Sequence, residues 1–305
     1  MNKLQANLCL LCVTLCWSTE IIIFVCIPSS VSPYATTCLT SAIGGALLLA
    51  AFRKRVSAAF KENGSKLLLT CVFLGFLDGA YNTMYIYGLN DFNVSTGAFT
   101  LSMTVVVLPV ILLTLHQKTD LNTWISAALV LVGIFISCIG NVSVGQAEGF
   151  LLIFGGCIIR AVYIIELNKY ARRYDPLAMS AIICGVIAAV SFVFWFASDS
   201  RTFASIDWTK QLIASIFIYS YFIVAFAQTI NFFAQRRTTP ASATVIYSLE
   251  LVFSIIWGII LPSDLVDTVK LSPRIAIGIL FVIAGNLTNI IDFKALRKKE
   301  ADRYE

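Results

Sequence analysis

Ten apolar segments of membrane-spanning length occupy most of this 305-residue sequence. An α-helix rises about 1.5 Å per residue, so roughly 20 apolar residues cross the hydrocarbon core of a bilayer. Only 13% of the residues are charged, whereas soluble domains carry about 25%. We therefore predict an all-α membrane protein with ten transmembrane helices and no separate soluble domain. The predicted spans are residues 4–27, 33–52, 67–88, 92–114, 121–140, 148–168, 176–197, 210–233, 239–260 and 273–292.

The basic residues are distributed unevenly between the two sides of these spans. Seventeen of the 22 Lys and Arg residues lie in the connections and termini of one side, and four lie in the connections of the other. The positive-inside rule places the richer side, and with it both termini, in the cytoplasm. This distribution accounts for the formal net charge of +5 without a nucleic-acid partner. The compact connections and the lack of a signal extension favour a multi-pass protein of a bacterial inner (plasma) membrane.

The ten spans divide into two halves of five, residues 1–145 and 146–305. An odd number of spans in each half makes the halves insert with opposite topology, and such inverted five-helix repeats are common in secondary transporters. Val132-Gly133 and Ala284-Gly285 occupy the centres of the fifth and tenth spans. Small residues at these corresponding positions predict close helix contact.

Three short motifs carry a resemblance to a known family. Leu15-Cys16-Trp17-Ser18 is similar to a Leu-x-Trp-Gly/Ser pattern, and the fourth span starts with small residues and continues to Pro109. Leu249-Glu250-Leu251-Val252-Phe253 is similar to Leu-Glu-Pro-Val-Phe, with Leu251 in place of the proline that would distort the helix. Over its whole length the chain resembles ten-span EamA-type members of the drug/metabolite transporter superfamily. The resemblance implies a small-molecule carrier whose fifth and tenth spans are peripheral or form a dimer surface, so monomer and homodimer both stay open.

Four charged residues lie near the middle of the predicted spans: Glu20, Asp78, Arg160 and Glu250. One charge at the bilayer centre costs about 2.5–3.5 kcal/mol on insertion scales. Four such charges cost on the order of 10 kcal/mol, which is comparable to the stability of a whole domain. We therefore expect these residues to pair with one another or to line a wet cavity.

The third span carries a polar and aromatic stripe. Asp78, Tyr81, Asn82 and Tyr85 follow the spacing i, i+3, i+4 and i+7, which puts them on one helix face. A polar stripe that faces lipid is costly, so this face should point to the interior. Two interpretations stay open: a cavity wall that binds a solute, or a buried network that joins helices.

Candidate site residues also lie on the first and fourth spans. Trp17 and Glu20 are neighbours on one face, where a carboxylate beside a ring suits proton exchange or binding of a cationic group. The alternative is a Glu20 that pairs permanently with Arg160. Thr100 either lines the cavity or bonds to its own helix backbone.

The sixth and ninth spans add further candidate residues, and the eighth span is also expected to border the central site, with the facing of its Tyr219, Tyr221, Gln228 and Asn231 left open. Arg160 and Tyr163 form one polar face, and Tyr247 lies beside Glu250. A guanidinium is always charged, so Arg160 needs a carboxylate partner or an anionic solute group. Glu250 serves either the substrate or a bond to a neighbouring helix. Because three acids outnumber one Arg, the set suits a zwitterion or an organic cation.

The sequence has no signature of catalysis or of cofactor binding. It lacks a Walker-type glycine loop, and Cys9-x-x-Cys12 has no second C-x-x-C and only His116 as a possible histidine ligand. We predict a secondary active transporter for a small polar metabolite, with an amino acid or related amine as the leading solute, which works by alternating access. Proton coupling and uncoupled transport of an organic cation, nucleoside or other metabolite both stay open. An intramembrane lipid-modifying enzyme is the remote alternative, because two acids can act as general acid and base.

Overall fold

The computed structural model describes residues 2–28, 30–88, 103–117, 119–138, 147–199, 205–261 and 272–290. All regular secondary structure within these ranges is helical, which confirms the all-α prediction for the described residues. In chain order the elements are α1 (Lys3–Ser18), α2 (Glu20–Val25), α3 (Pro33–Gly88), α4 (Thr104–Thr114), α5 (Leu121–Cys138), α6 (Ala147–Ala171), α7 (Pro176–Asp199), α8 (Lys210–Tyr219), a π-helix (Ser220–Ala227), α9 (Gln228–Gln235), α10 (Pro240–Tyr247), α11 (Leu249–Ile260) and α12 (Pro273–Ile290).

Several of these helices are long and apolar enough to cross a membrane. Within the described ranges five helical stretches meet that condition, and four shorter apolar helices accompany them. The number of ten spans and the cytoplasmic termini stay predictions, because residues 89–102, 139–146, 262–271 and 291–305 lie outside the described ranges. The five long stretches are Pro33–Tyr85, Glu148–Ala171, Pro176–Ser198, Lys210–Gln235 and Pro240–Ile260.

The long helical run α3 is a hairpin rather than one rod. Its backbone departs from helical geometry at Phe52 and at Gly64, where φ is 50° and ψ is −129°. This left-handed conformation is one that glycine adopts readily. The two arms pack on the same helix, α7, in opposite directions, which agrees with separate spans at 33–52 and 67–88. The neighbours are Tyr34 with Phe194 and Gly45 with Cys184 for the first arm, and Gly75 with Val186 and Gly79 with Val190 for the second.

The helices α5 and α12 approach each other through two glycines. A Cβ atom at Gly133 would lie 2.5 Å from the carbonyl oxygen of Gly278, and one at Gly285 would lie 2.8 Å from the carbonyl oxygen of Ser126. Each glycine therefore faces the backbone of the other helix. This confirms the close contact predicted from the small residues at these positions.

Two helices are interrupted shortly before an acidic residue. The α1 helix ends at Ser18 and α2 begins at Glu20, while α10 ends at Tyr247 and α11 begins at Leu249. The Thr19 hydroxyl donates to the Cys16 carbonyl at 2.7 Å, and the Ser248 hydroxyl donates to the Val245 carbonyl at 2.5 Å. Such back-bonding bends helices without proline. The interruption near Glu250 thus precedes that residue, and α11 continues regularly through the position of Leu251.

Candidate functional site

The four ionisable residues of the spans converge in the structure, and we call them the charged cluster: Glu20 of α2, Asp78 of α3, Arg160 of α6 and Glu250 of α11. The Nη2 atom of Arg160 lies 3.7 Å from Oε2 of Glu250, and 11% of the Arg160 side chain is exposed against 31% for Glu250. The guanidinium is therefore nearly enclosed, while the carboxylate beside it borders open space. Of the three acids that the sequence offers to Arg160, Glu250 forms the ion pair.

The carboxylate of Glu20 has a different partner. The hydroxyl of Tyr219, the last residue of α8, donates a hydrogen bond to Oε1 of Glu20. Glu20 is half-buried, and the charges of Glu250 and Arg160 both act on it. Glu20 therefore belongs to the same cluster as Arg160, but its hydrogen-bond partner is Tyr219.

The polar stripe of α3 faces this cluster. Asp78 is 5% exposed, and Tyr81 and Arg160 act on its carboxylate electrostatically. Tyr85 is in turn influenced by the charges of Glu250, Glu20 and Arg160. The fourth member, Asn82, donates from Nδ2 to the backbone carbonyl of Asp78 at 3.0 Å, so its amide is bonded to its own helix. The stripe therefore borders the charged cluster and also forms a hydrogen bond within its own helix. Both predicted interpretations, a solute-binding wall and a buried network, stay open.

Aromatic rings border the cluster on two sides. The guanidinium carbon of Arg160 lies 5.8 Å from the ring centroid of Tyr81, within the range of a cation–π contact. The rings of Tyr81 and Tyr163 lie 5.9 Å apart, and those of Trp17 and Tyr247 lie 5.3 Å apart, each pair tilted. Tyr81 thus presents its ring face to Arg160, and the other three rings extend the aromatic surroundings of the cluster.

Ten of the eleven predicted site residues thus lie in or beside the charged cluster. Thr100 is the exception, because it lies outside the described residues. Which of the ten contact a solute remains a prediction.

Polar residues of the eighth predicted span join the site, although the sequence does not assign them to it. Gln228 donates from Nε2 to the Tyr163 hydroxyl at 3.3 Å. Gln235 donates to the Tyr247 hydroxyl at 2.7 Å, and that hydroxyl donates to Oδ1 of Asn231. Gln228, Asn231 and Gln235 follow the spacing i, i+3 and i+7 of one α-helical face, so their convergence agrees with the periodicity of α9.

A buried polar layer lies next to the cluster, toward the end of α6. The Nδ2 atom of Asn168 lies 2.6 Å from the Gln235 carbonyl, 3.0 Å from Gln235 Oε1 and 3.0 Å from the Thr238 carbonyl. The Thr238 hydroxyl lies 3.3 Å from Oδ1 of Asn7, which joins α1 to the layer. All four side chains are buried. Protein therefore fills this end of the site, which is the side that the basic residues predict to be cytoplasmic.

An apolar groove of about 370 Å³ lies apart from these polar groups. None of its lining residues belongs to the charged cluster, and none carries a polar side chain. It is unsuited to a polar solute. The lining residues are Met103, Val106, Val107, Val110, Ile111, Leu131 and Phe154.

The groups of the site are suited to the recognition of a charged solute. Among the described residues, no group of three or more His, Cys, Asp and Glu side chains is arranged to hold a metal ion. The cluster instead provides one guanidinium, three carboxylates and several ring faces.

Apolar helices around an enclosed charged cluster define an integral, multi-pass membrane protein with a polar site in its interior. The model of the EamA-like transporter family matches residues 4–139 and 147–290, so the chain belongs to the EamA-like transporter family. This confirms the resemblance to EamA-type drug/metabolite transporters. The protein is thus a membrane transporter of small solutes by family, which agrees with the prediction that it is not an enzyme.

A solved crystal structure shares this fold. It superposes with a TM-score of 0.76 over 93% of this chain and 96% of the other, at 18% sequence identity. At that identity the likeness concerns the fold alone. No curated protein matches the sequence.

Proposed function

We propose that this protein is a secondary transporter for a small zwitterionic or cationic metabolite, with amino acids and related amines as the leading solutes. The observation that carries the proposal is the convergence of three acids, from three different helices, around one nearly enclosed guanidinium. Three acids and one Arg give a formal charge of −2 when all are ionised. A solute that brings positive charge is therefore favoured over an anion.

The geometry of the Arg160–Glu250 pair supports recognition of a carboxylate as well. Charge-assisted N–H···O bonds are usually about 2.7–2.9 Å long, whereas this pair is separated by 3.7 Å. Arg160 is therefore not held in a short bidentate pair, and its donors remain able to bind a solute carboxylate. The ammonium group of the same solute would bind Glu20 or Asp78, with the rings of Trp17 and Tyr81 adding cation–π attraction.

We further propose the architecture of two inverted repeats, residues 1–145 and 146–305, with ten spans and both termini in the cytoplasm. The family model matches the chain twice, once in each half. The reciprocal glycine contacts of α5 and α12, at Gly133 and Gly285, also occupy corresponding places in the two halves. Rocking of one repeat against the other would expose the charged cluster to each side in turn. The compact connections favour an inner (plasma) membrane as the location.

Counterflow in proteoliposomes tests the transport proposal. Vesicles are loaded with amino acids, amines, nucleosides or sugars and offered trace label of the same compound. We expect saturable uptake of an amino acid or amine, and loss of that uptake in Glu20→Gln and Glu250→Gln. The matched control is Glu166→Gln, since Glu166 pairs with Lys169 at 2.9 Å on the same helix as Arg160.

Two results would overturn the proposal. One is uptake no greater than in empty vesicles, with folded protein and the whole panel. The other is unchanged kinetics in Glu20→Gln, Asp78→Asn and Arg160→Ala together. Uptake under an imposed pH gradient then separates the two coupling modes, because an uncoupled carrier does not respond to the gradient.

A further inference from the structure

The segment between α8 and α9 is a π-helix of eight residues, Ser220–Ala227. π-helices are rare, occur mostly as single-turn bulges inside α-helices, and are frequent at functional sites. Here the π-helix continues directly from Tyr219 and leads directly into Gln228, both with right-handed helical backbone angles. It therefore changes the rotation of a continuous helix without breaking it.

This change of rotation decides which side chains face the charged cluster. Tyr219 and Gln228 are nine positions apart, which is about 2.5 turns of an α-helix, so a regular helix would point them to opposite sides. In the structure Tyr219 bonds Glu20 and Gln228 bonds Tyr163, so both face the site. Each π hydrogen bond joins residue i to i+5 instead of i+4, so a π-helix rotates by a smaller angle per residue than an α-helix. Over the eight residues of the π-helix this difference brings Tyr219 and Gln228 to the same side of the helix.

The outward face of the same segment carries exposed aromatic side chains. Tyr221, two residues beyond Tyr219, is 53% exposed. Phe222 and Phe226 are exposed as well. Tyr219 and Gln228 thus share the interior side, while these three aromatic side chains form the outer side.

We infer that Tyr219 is a positioning residue for the Glu20 carboxylate, and that the π-helix Ser220–Ala227 is the device that brings Tyr219 and Gln228 onto one face. Glu20 follows directly after the interruption at Thr19, where the helix backbone constrains it less than inside a regular helix. A hydroxyl from a second helix holds the carboxylate beside Arg160 and Glu250. The role of Tyr219 in solute binding rests on the proposed transport function. The register, by which we mean the shared facing of Tyr219 and Gln228, does not depend on that function.

Thiol accessibility tests the register without a solute. In a background with all nine cysteines replaced, single substitutions Tyr219→Cys, Gln228→Cys, Tyr221→Cys and Phe226→Cys are treated with a charged, water-soluble methanethiosulfonate reagent. We expect modification at positions 219 and 228 and none at 221 and 226. Modification at 226, or at only one of 219 and 228, would overturn the shared face, and so would the absence of modification at both.

A double-mutant cycle tests the positioning role. Tyr219→Phe keeps the ring and removes the hydroxyl, and we expect it to raise the half-saturation concentration of labelled amino acid by roughly tenfold, as for a lost hydrogen bond to a charged group. In the Glu20→Gln background, Tyr219→Phe should raise the half-saturation concentration little further. Tyr221→Phe is the matched control and should leave uptake unchanged. Additive effects of Tyr219→Phe and Glu20→Gln would overturn the positioning role.

The two proposals fail in distinguishable ways. If the wild-type protein transports nothing in the panel, the proposed function fails, while the thiol pattern still decides the register. The cycle is then read from unfolding temperatures in detergent, which need no solute. Coupled shifts support the Tyr219–Glu20 contact, and additive shifts overturn it.

Discussion

Replacing the ion pair of the charged cluster with apolar side chains should separate its structural role from its transport role. Arg160→Met leaves Glu250 without its cation. Only 11% of the Arg160 side chain is exposed in the native protein. At an effective dielectric constant of about 20, two unit charges 3.7 Å apart attract each other by roughly 4.5 kcal/mol. Removal of one partner of a fully buried pair costs about 3–5 kcal/mol, and because 31% of the Glu250 side chain is exposed to solvation, the loss here should lie at the lower end of that range. We expect a loss of that size in the free energy of unfolding.

The double variant Arg160→Met/Glu250→Met should be more stable than Arg160→Met alone. Apolar replacement of both members of a buried pair is often neutral or stabilising. The double variant should recover only part of the lost free energy of unfolding, since Glu20 and Asp78 also lose the nearby charge of Arg160. Unfolding of the purified protein by sodium dodecyl sulfate in detergent gives the free energies for the four members of the cycle.

A second ion pair provides the control. Arg55 and Asp175 are closer, at 2.8 Å, but 56% of the Arg55 side chain is exposed. Exposed pairs contribute about 0–1 kcal/mol, so Arg55→Met should change the free energy of unfolding by no more than that. A loss below 1 kcal/mol in Arg160→Met, or a double variant no more stable than the single one, would refute the reasoning. Normal counterflow in the double variant would show that the pair serves structure alone.

Three further predictions concern packing, the buried polar layer and the aromatic wall. Gly133→Ala should lower the free energy of unfolding by about 1–3 kcal/mol, because its Cβ would lie 2.5 Å from a backbone oxygen. Gly185→Ala, with open space around the new Cβ, should raise the free energy of unfolding by up to about 1 kcal/mol. Equal unfolding temperatures of the two variants would contradict this. Asn168→Ala should cost about 1–3 kcal/mol, because buried carbonyls lose their donor, and an unchanged unfolding temperature would argue against it. Trp17→Leu should raise the half-saturation concentration of a cationic solute about two- to fivefold, while Trp17→Phe should raise it less; equal counterflow kinetics in both variants would refute this.

The convergence of the charged cluster can be predicted from the sequence because the bilayer leaves few alternatives. A charge that faces lipid is costly, so Glu20, Asp78, Arg160 and Glu250 must meet in the interior or reach water. The stripe of α3 is predictable for a related reason, since the helix around Asp78 is regular and the spacing of four residues defines its face. The family motifs around Trp17 and Glu250 likewise lead to the family that the comparison confirms.

Other features depend on geometry that side-chain spacing does not encode. Three acids are equivalent candidates for Arg160 in the sequence, and only the folded arrangement, which brings Arg160 of α6 to Glu250 of α11, selects Glu250. The helix interruption at Ser248 arises from a hydroxyl that bonds to the backbone, without the proline that would make it recognisable. Tyr219 escapes prediction because the π-helix invalidates the 100° rotation on which any periodicity analysis depends.

The partners of the acids divide the site into two chemically different parts. Glu250 faces a guanidinium, so that pair is neutral as a whole and can exchange one carboxylate for another at Arg160. Glu20 receives a neutral hydroxyl instead, and Asp78 lies beside Tyr81, so neither of these acids is the ion-pair partner of Arg160. Under the proposed function, a solute with separated charges would bind both parts at once, its carboxylate at Arg160 and its ammonium at Glu20 or Asp78. A simple amine would satisfy only the second part, and for this reason we propose an amino acid as the leading solute.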